Sequence, residues 1–341
     1  MVGKKLNWGI VFTGDNLSLA DILRYARMAE DAGAESLWST ELGRDAFVPL
    51  AAIANVVKRV RLGTGVATFA RPPMHAETAA MTLAEMTNGN FVLGLGTAPP
   101  QWNANWHGLE VTKPVARMRD YVACIRTMWS SNQTKSVDYE GEVMRIKGYR
   151  RFIPAPYPSV PIFLAAVQPH MLQLTGEVAD GLLGNLLNTH RYIQEVVHPN
   201  LKIGMAKSGR SRDKFEVATL KVCAVNRDRK AARNLARHTI AFYSTLPYFD
   251  IVLDPAGFTA QKQRIRDAFA RNDIPAMLNG VTEEMVDALV IAGTPDEARA
   301  QLKRHEGLVD TVVLYCPTFA VEAAKSKANH EAIIEAFAGW K

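Results

Sequence analysis

Short apolar runs alternate with amphipathic segments along almost the whole chain. Each run is bounded by glycine or polar residues and has the length of a buried strand. The runs predict strands over Leu6–Phe12, Ser36–Ser39, Val60–Val66, Phe91–Leu95, Pro161–Ala165, Gly181–Gly184, Phe215–Val225 and Thr311–Tyr315. Apolar side chains at helical spacing predict one helix from Ser18 to Gly33, a last helix ending at Ala338, and helices between them over Pro49–Val57, Met74–Met86, Val115–Trp129, Pro169–Ala179, Arg191–Lys207 and Ala231–Tyr243.

Strand–helix units that follow one another in this way are typical of an α/β fold closed into a (β/α)8 TIM barrel. An open, doubly wound sheet is the alternative arrangement.

Residues Val137–Phe152 predict a hairpin insertion after the fourth helix, because the polar segment Asp138–Glu142 leads into a second strand-like run. Residues 244–293 predict a long helical insertion before the eighth strand, of the kind that forms lids or interfaces. We expect one domain over residues 1–341.

The composition narrows the class of protein. The chain has 341 residues, a formal net charge of +6 and scattered basic residues, so no nucleic-acid partner is expected. No signal peptide is recognised, and no apolar run approaches the roughly 20 residues that span a membrane, so no membrane partner is expected either. The wide spacing of Cys124, Cys223 and Cys316, and histidines without ligand spacing, predict a cytoplasmic protein without a metal site.

The carboxyl ends of the predicted strands are where ligands bind in such folds. The third strand ends in Gly63-Thr64-Gly65-Val66, and two glycines there permit a close approach of a planar ligand to the main chain. Tight packing at a strand end is the simpler alternative.

After the fifth strand, Ala165–Gln168 leads into a helix with Pro169 in its first turn, and free N–H groups at such a helix start suit a phosphate. An ordinary helix start explains the same residues.

Two further strand ends carry polar or aromatic side chains. Glu41 follows the second strand, where a carboxylate could bind a ligand hydroxyl, act as a base or pair with a basic residue. Taken alone, Glu41 is more simply a structural or exposed acid. After the fourth strand, the segment from Thr97 through Trp102, Asn103 and Trp106 to His107 predicts a loop that forms a wall for a planar ligand. Ordinary loop packing is the alternative.

Several motifs in one order resemble the bacterial luciferase-like flavin monooxygenase superfamily. They cover nearly the whole chain, and the resemblance is strongest to the deazaflavin-dependent branch that includes methylenetetrahydromethanopterin reductase. The residues that carry it are Gly63–Val66, Arg71–Pro73, Thr82–Gly89, Phe91–Gly96, Gly108, Lys113–Val115, Met118, Arg119, Tyr139–Gly141, Pro161, Ile162, Ala165, Ala166, Thr175–Glu177 and Ala179–Gly181.

The resemblance implies that coenzyme F420, or FMN as the alternative, binds at the barrel mouth. Gly65–Val66 would be a backbone bulge behind the ring, often with a cis peptide bond, and Glu41 an acid that contacts the coenzyme and is the catalytic candidate. The expected cofactor-binding residues are Thr40, Glu41, Gly65, Val66, Ala67, Thr97, Asn103, Ala165, Ala166, Val167 and Gln168. The expected substrate pocket consists of Phe12, Phe69, Trp102, Trp106 and His107.

These implications predict an oxidoreductase that transfers a hydride between coenzyme F420 and a small organic substrate. One alternative is a monooxygenase that uses reduced FMN and O2, and another is a flavin-binding homologue without catalysis. Leu42 and Pro99 stand where some relatives have a catalytic histidine and a carboxylate, which argues against acid–base chemistry at those positions. Relatives are commonly dimers or tetramers, so a homo-oligomer is expected.

Overall fold

The computed structural model of the chain describes residues 5–13 and 17–340. Eight parallel strands close into a ring in which β1 lies between β12 and β2, and β9 pairs with β10. The predicted TIM barrel is therefore confirmed. The strands are β1 (Asn7–Phe12), β2 (Ser36–Ser39), β3 (Arg61–Thr64), β4 (Ala67–Thr68), β5 (Phe91–Gly96), β6 (Val137–Glu140), β7 (Arg145–Tyr149), β8 (Ile162–Leu164), β9 (Gly181–Gly184), β10 (Glu216–Val225), β11 (Ile291–Gly293) and β12 (Thr311–Tyr315).

Helices follow the barrel strands as the spacing of apolar residues predicts. Ser18 and Thr294 each cap a helix through a capping box, as their positions before an amphipathic run favour. The helices are α1 (Leu19–Asp31), α2 (Val48–Ala54), α3 (Pro73–Met86), α4 (Pro100–His107), α5 (Pro114–Trp129), α6 (Pro169–Val178), α7 (His190–Tyr192), α8 (His198–Ser208), α9 (Arg229–Ser244), α10 (Asp250–Leu253), α11 (Thr259–Ala270), α12 (Ile274–Gly280), α13 (Glu283–Leu289), α14 (Pro295–Lys303) and α15 (Ala323–Phe337).

The two insertions lie outside the ring of eight strands. Strands β6 and β7 form the predicted antiparallel hairpin after α5. The long insertion contains α10 to α13 and ends in β11, which extends the sheet by pairing in parallel with β10. That extra strand is not evident from the sequence, because Ile291–Gly293 is only a short apolar run.

One large side chain fills the barrel below the mouth. Trp38 on β2 points inward, and a Cβ added at Gly63 on β3 would lie 2.5 Å from its ring. A Cβ at Gly94 on β5 would lie 1.9 Å from the carbonyl oxygen of Thr64. Gly63 is therefore explained by packing against Trp38, which is the simpler of the two alternatives for this glycine.

Three elements differ in kind from the sequence prediction. The strand predicted over Val60–Val66 is divided, because the backbone turns at Gly65–Val66 and resumes as β4. The predicted loop at 101–107 is helix α4, which begins at Pro100 and ends before Gly108 in a left-handed conformation with φ 61°. The helix predicted over Arg191–Lys207 contains a π-helical turn at Ile193–Val197. No helix in the described part of the chain is long and apolar enough to cross a membrane.

Candidate functional site

A cavity of about 510 Å³ lies at the carboxyl ends of the barrel strands. Residues from several strand ends and from the long insertion line it, as expected for a ligand site in this fold. Seven of the predicted cofactor-binding residues are in the lining: Gly65, Val66, Thr97, Ala165, Ala166, Val167 and Gln168.

The peptide bond between Gly65 and Val66 is cis, as the resemblance implied. The N–H of Gly65 donates to the carbonyl oxygen of Ser39 at 2.8 Å, and the N–H of Glu41 donates to that of Val66 at 3.3 Å. These two bonds fasten the bulge to the end of β2. The bulge therefore forms a fixed wall of the cavity.

Glu41 is held behind this wall. Its carboxylate accepts hydrogen bonds from the N–H of Thr68 at 2.6 Å and from Arg71 at 2.7 Å, and it is not part of the cavity lining. Arg71 also pairs with Asp45. Burial alone would lower the pKa of Arg71, but the hydrogen bonds that its guanidinium donates to Glu41 and Asp45 outweigh burial and raise it. Of the roles considered for Glu41, this geometry fits pairing with a basic residue, and a catalytic role stays a prediction.

The start of α6 presents free main-chain donors to the cavity. Within the described residues, the N–H groups of Ala166, Val167 and Gln168 donate to no acceptor. The carbonyl oxygen of Val167 accepts a hydrogen bond from Tyr192 at 2.6 Å, which fixes the segment. Oriented N–H groups at the positive end of a helix form a site for an anion.

Buried polar atoms without a partner surround the mouth. They include the hydroxyl of Thr40 and the amide oxygens of Asn103 and Asn185. The Nδ2 of Asn103 donates to the carbonyl oxygen of Thr97 at 2.7 Å, so this side chain fixes the segment that lines the cavity. Thr40, Ala67 and Asn103 are not themselves in the lining. Unpaired buried polar atoms are uncommon and point to a missing ligand or water.

The structure places Phe12 and Phe69, both predicted for the substrate pocket, away from the cavity. Successive side chains of a strand point to opposite faces, and Phe12 lies on the outer face, where it stacks on His330 of α15. Phe69 is buried and lies beneath the guanidinium of Arg117 on α5. Neither ring lines the cavity.

The aromatic segment on α4 also lies outside the lining. Trp102 and Trp106 are four residues apart on one helix and stack on each other at 4.6 Å. Trp106 is 61% exposed, and His107 is exposed at the end of the helix. Because α4 was predicted as a loop, the direction of these side chains was predicted wrongly.

The structure places other residues at the mouth instead. Leu186 follows β9, Leu220 lies on β10, and Tyr248 and Phe249 come from the insertion. Asn185, next to Leu186, and Tyr248 carry the polar groups in this part of the lining. The inward register of β10 could have indicated Leu220, but nothing in the insertion sequence marks Tyr248 and Phe249.

Comparison with known proteins identifies the family. A family model described as luciferase-like monooxygenase matches residues 7–311, so the chain belongs to this family and is an oxidoreductase. The chain is 33% identical over 303 residues to the 5,10-methylenetetrahydromethanopterin reductase of Archaeoglobus fulgidus, a match covering 86% of this chain and 87% of that protein.

Two solved structures share the fold. The coenzyme F420-dependent tetrahydromethanopterin reductase from Methanopyrus kandleri has a TM-score of 0.83 and 23% identity, over 98% of this chain and 99% of that one. A monooxygenase from Streptomyces bottropensis has a TM-score of 0.71 and 19% identity, over 97% and 98%.

Proposed function

We propose that this protein transfers a hydride between coenzyme F420 and a small organic substrate. The observation that carries the proposal is the joint placement of the Gly65–Val66 bulge and the free N–H groups of Ala166–Gln168 on one cavity. A relative that is a methylenetetrahydromethanopterin reductase and a structural neighbour that is F420-dependent support the cofactor and the reaction type.

The residues present fit such a cofactor. The bulge offers a surface without a large side chain at Gly65, which suits a flat ring. The start of α6 suits the phosphate, and the unpaired hydroxyl of Thr40 suits the polar edge of a ring or side chain that reaches past the lining. When bound, the deazaflavin supplies the hydride donor or acceptor.

The chain itself orients the ligands and excludes water. Val66 and the main chain of the bulge would fix one face of the ring, leaving the other face towards Leu220. Tyr248 and Phe249 close the cavity on the side of the insertion. The Nε2 of Gln168 donates to the carbonyl oxygen of Tyr248 at 3.0 Å, so the proposed phosphate site is joined directly to this cover.

A reduced-FMN monooxygenase is the second candidate. The name of the matching family and the monooxygenase with the same fold favour it. The phosphate site and the bulge would serve FMN equally well, so the geometry of the cavity does not separate the two cofactors.

Titration with each cofactor tests the proposal. The pure protein is titrated with coenzyme F420 and with FMN while fluorescence is followed, and oxygen uptake is measured with reduced FMN. We expect micromolar binding of the deazaflavin and reduction or oxidation of its chromophore with substrate. Micromolar binding of FMN with none of the deazaflavin, together with oxygen uptake, would replace the proposal with the monooxygenase.

We also propose that the protein is a homo-oligomer. Phe152 and Ile153 are 76% and 75% exposed and stand beside a groove of about 720 Å³ between α3 and the hairpin. Neighbouring apolar side chains this exposed mark an interaction surface. A protruding pair and a groove on one face suit a second copy, because a two-fold interface brings the same surface of both copies together. Glu85 and Arg150 on the same face form no ion pair within the described residues and could pair across that axis.

A further inference from the structure

The cavity wall that faces the bulge is apolar. Leu186 follows β9, Leu220 lies in the middle of β10, and Phe249 comes from the insertion. All three are buried. If the ring lies against Gly65–Val66, as the proposed function requires, the substrate must occupy the space between the ring and these side chains.

Charged side chains near the mouth are paired away from this space. Arg71 binds Glu41 and Asp45 behind the bulge, and Lys221 donates to the carbonyl oxygen of Asn188. Among the described residues, no aspartate, glutamate, lysine or arginine lines the cavity, and His170, which does line it, lies in the first turn of α6 beside the proposed phosphate site. An ionic substrate group placed here would lose its hydration without gaining a counter-ion, which is strongly unfavourable.

Asn185, next to Leu186, places a carboxamide on this side of the cavity. Its Oδ1 is buried without a partner, although the residue lines the cavity. Its main chain is fixed, because its carbonyl oxygen accepts from Asn188 at 2.7 Å and from Thr219 at 3.3 Å. A carboxamide both accepts and donates hydrogen bonds, so it can bind a hydroxyl or a carbonyl group.

We propose that the substrate is an uncharged, mainly apolar molecule with a hydroxyl or carbonyl group, and that Asn185 binds this group. The inference rests on the proposed function, since it places the ring against the bulge. It adds the substrate class and assigns a binding residue for it.

A ligand screen on the deazaflavin-loaded protein tests the proposal. Small alcohols and ketones are compared with carboxylates and alkylammonium ions of the same carbon skeleton, using saturation-transfer NMR. We expect binding to be confined to the uncharged members. Stronger binding of the ions, or binding of no member of either set, would overturn the substrate class.

The Asn185→Leu variant tests the assigned residue. Because one hydrogen bond is lost from a buried site, we expect the affinity for the uncharged ligands to fall roughly tenfold. The deazaflavin dissociation constant, measured separately by fluorescence, should be unchanged, which shows that the cavity is intact. Asn55→Leu, which removes an exposed carboxamide at the end of α2 outside the cavity lining, is the matched control and should bind the ligands like the natural protein. Equal ligand affinity in Asn185→Leu would remove Asn185 from the site, whereas failure of the deazaflavin to bind the natural protein would instead refute the proposed function.

Discussion

Glu41 stabilises the bulge at Gly65–Val66 from behind. It is bound to Thr68 and Arg71, and its own N–H is bonded to Val66. Its carboxylate therefore connects the end of β2 to the segment that follows the bulge. Hydrogen bonds to charged groups are stronger than those between neutral groups. The bonds that the Glu41 carboxylate accepts therefore stabilise this connection more than the same number of neutral hydrogen bonds would.

Replacing Glu41 by Gln should weaken cofactor binding at least several-fold. The substitution removes the charge that pairs with Arg71 and leaves that guanidinium to Asp45 alone. Fluorescence titration of the dissociation constant checks this. Glu195→Gln, which breaks an exposed ion pair with Arg191, is the matched control and should leave binding unchanged. Unchanged binding in Glu41→Gln as well would show that the bulge does not depend on this residue.

Lys221 is a buried ammonium without a carboxylate partner in the described residues. Its Nζ donates to the carbonyl oxygen of Asn188 at 2.7 Å. Burial lowers its pKa from 10.5 to about 7. Burial and the nearby Lys221 also lower the pKa of His190 and bring that of His305 to about 3. The neighbouring imidazoles are therefore neutral at pH 7.

Stability should rise with pH because of this lysine. Between pH 7 and 10.5 the unfolded chain binds more protons than the folded one, so the free energy of unfolding increases as the pH rises through this range. The free energy of unfolding of the natural protein and of Lys221→Met is measured by denaturation at pH 7 and at pH 9. We expect the difference between the two proteins to change by about 2 kcal/mol over this range. The exposed Lys202→Met serves as the control and should track the natural protein. A constant difference for Lys221→Met would contradict the assigned pKa.

At the scale of elements, the start of α6 and the insertion meet at one hydrogen bond. Gln168 donates to the carbonyl oxygen of Tyr248, and Tyr192 donates to that of Val167. A ligand that binds the N–H groups of Ala166–Gln168 would stabilise this junction. The cover formed by Tyr248 and Phe249 should then become more ordered.

Hydrogen exchange checks this coupling. We expect cofactor binding to increase protection of the amides at 247–249, and we expect the increase to be smaller in Gln168→Leu, which lacks the side-chain donor. Gln173→Leu, on the same helix but bonded to Asn200, is the control. An equal gain of protection in Gln168→Leu would show that the two segments are not coupled through this residue.

The barrel elements could be predicted because each strand is a continuous apolar run followed by an amphipathic helix. The helix start at the cavity could be predicted too, since Pro169 marks the first turn of the helix that follows Ala166–Gln168. The direction in which individual side chains point could not be predicted from the sequence. Phe12 and Phe69 point away from the mouth because of strand register and packing against helices, and Tyr248 reaches the cavity only through the tertiary path of the insertion.

At the scale of the whole molecule, the exposed pair Phe152 and Ile153 lies beside the hairpin and away from the residues that line the mouth. Assembly through this face would leave the cavity open. The hairpin insertion would then serve association, and the long insertion would serve the site.

Two acidic substitutions check the proposed interface. Phe152→Asp combined with Ile153→Asp should convert the oligomer to monomers, because burying carboxylates at the centre of an apolar interface is costly. Light scattering after size-exclusion chromatography measures the mass. Ile203→Asp, at an exposed apolar residue on α8, is the control and should keep the oligomer. Persistence of the same assembly in the double variant would place the interface elsewhere.

The most direct measurement is a crystal structure with the deazaflavin bound. We expect the ring in van der Waals contact with Gly65 and Val66, and the phosphate within hydrogen-bonding distance of the N–H groups of Ala166–Gln168. A ring bound outside this mouth, or a phosphate held away from the start of α6, would contradict the proposed cofactor site.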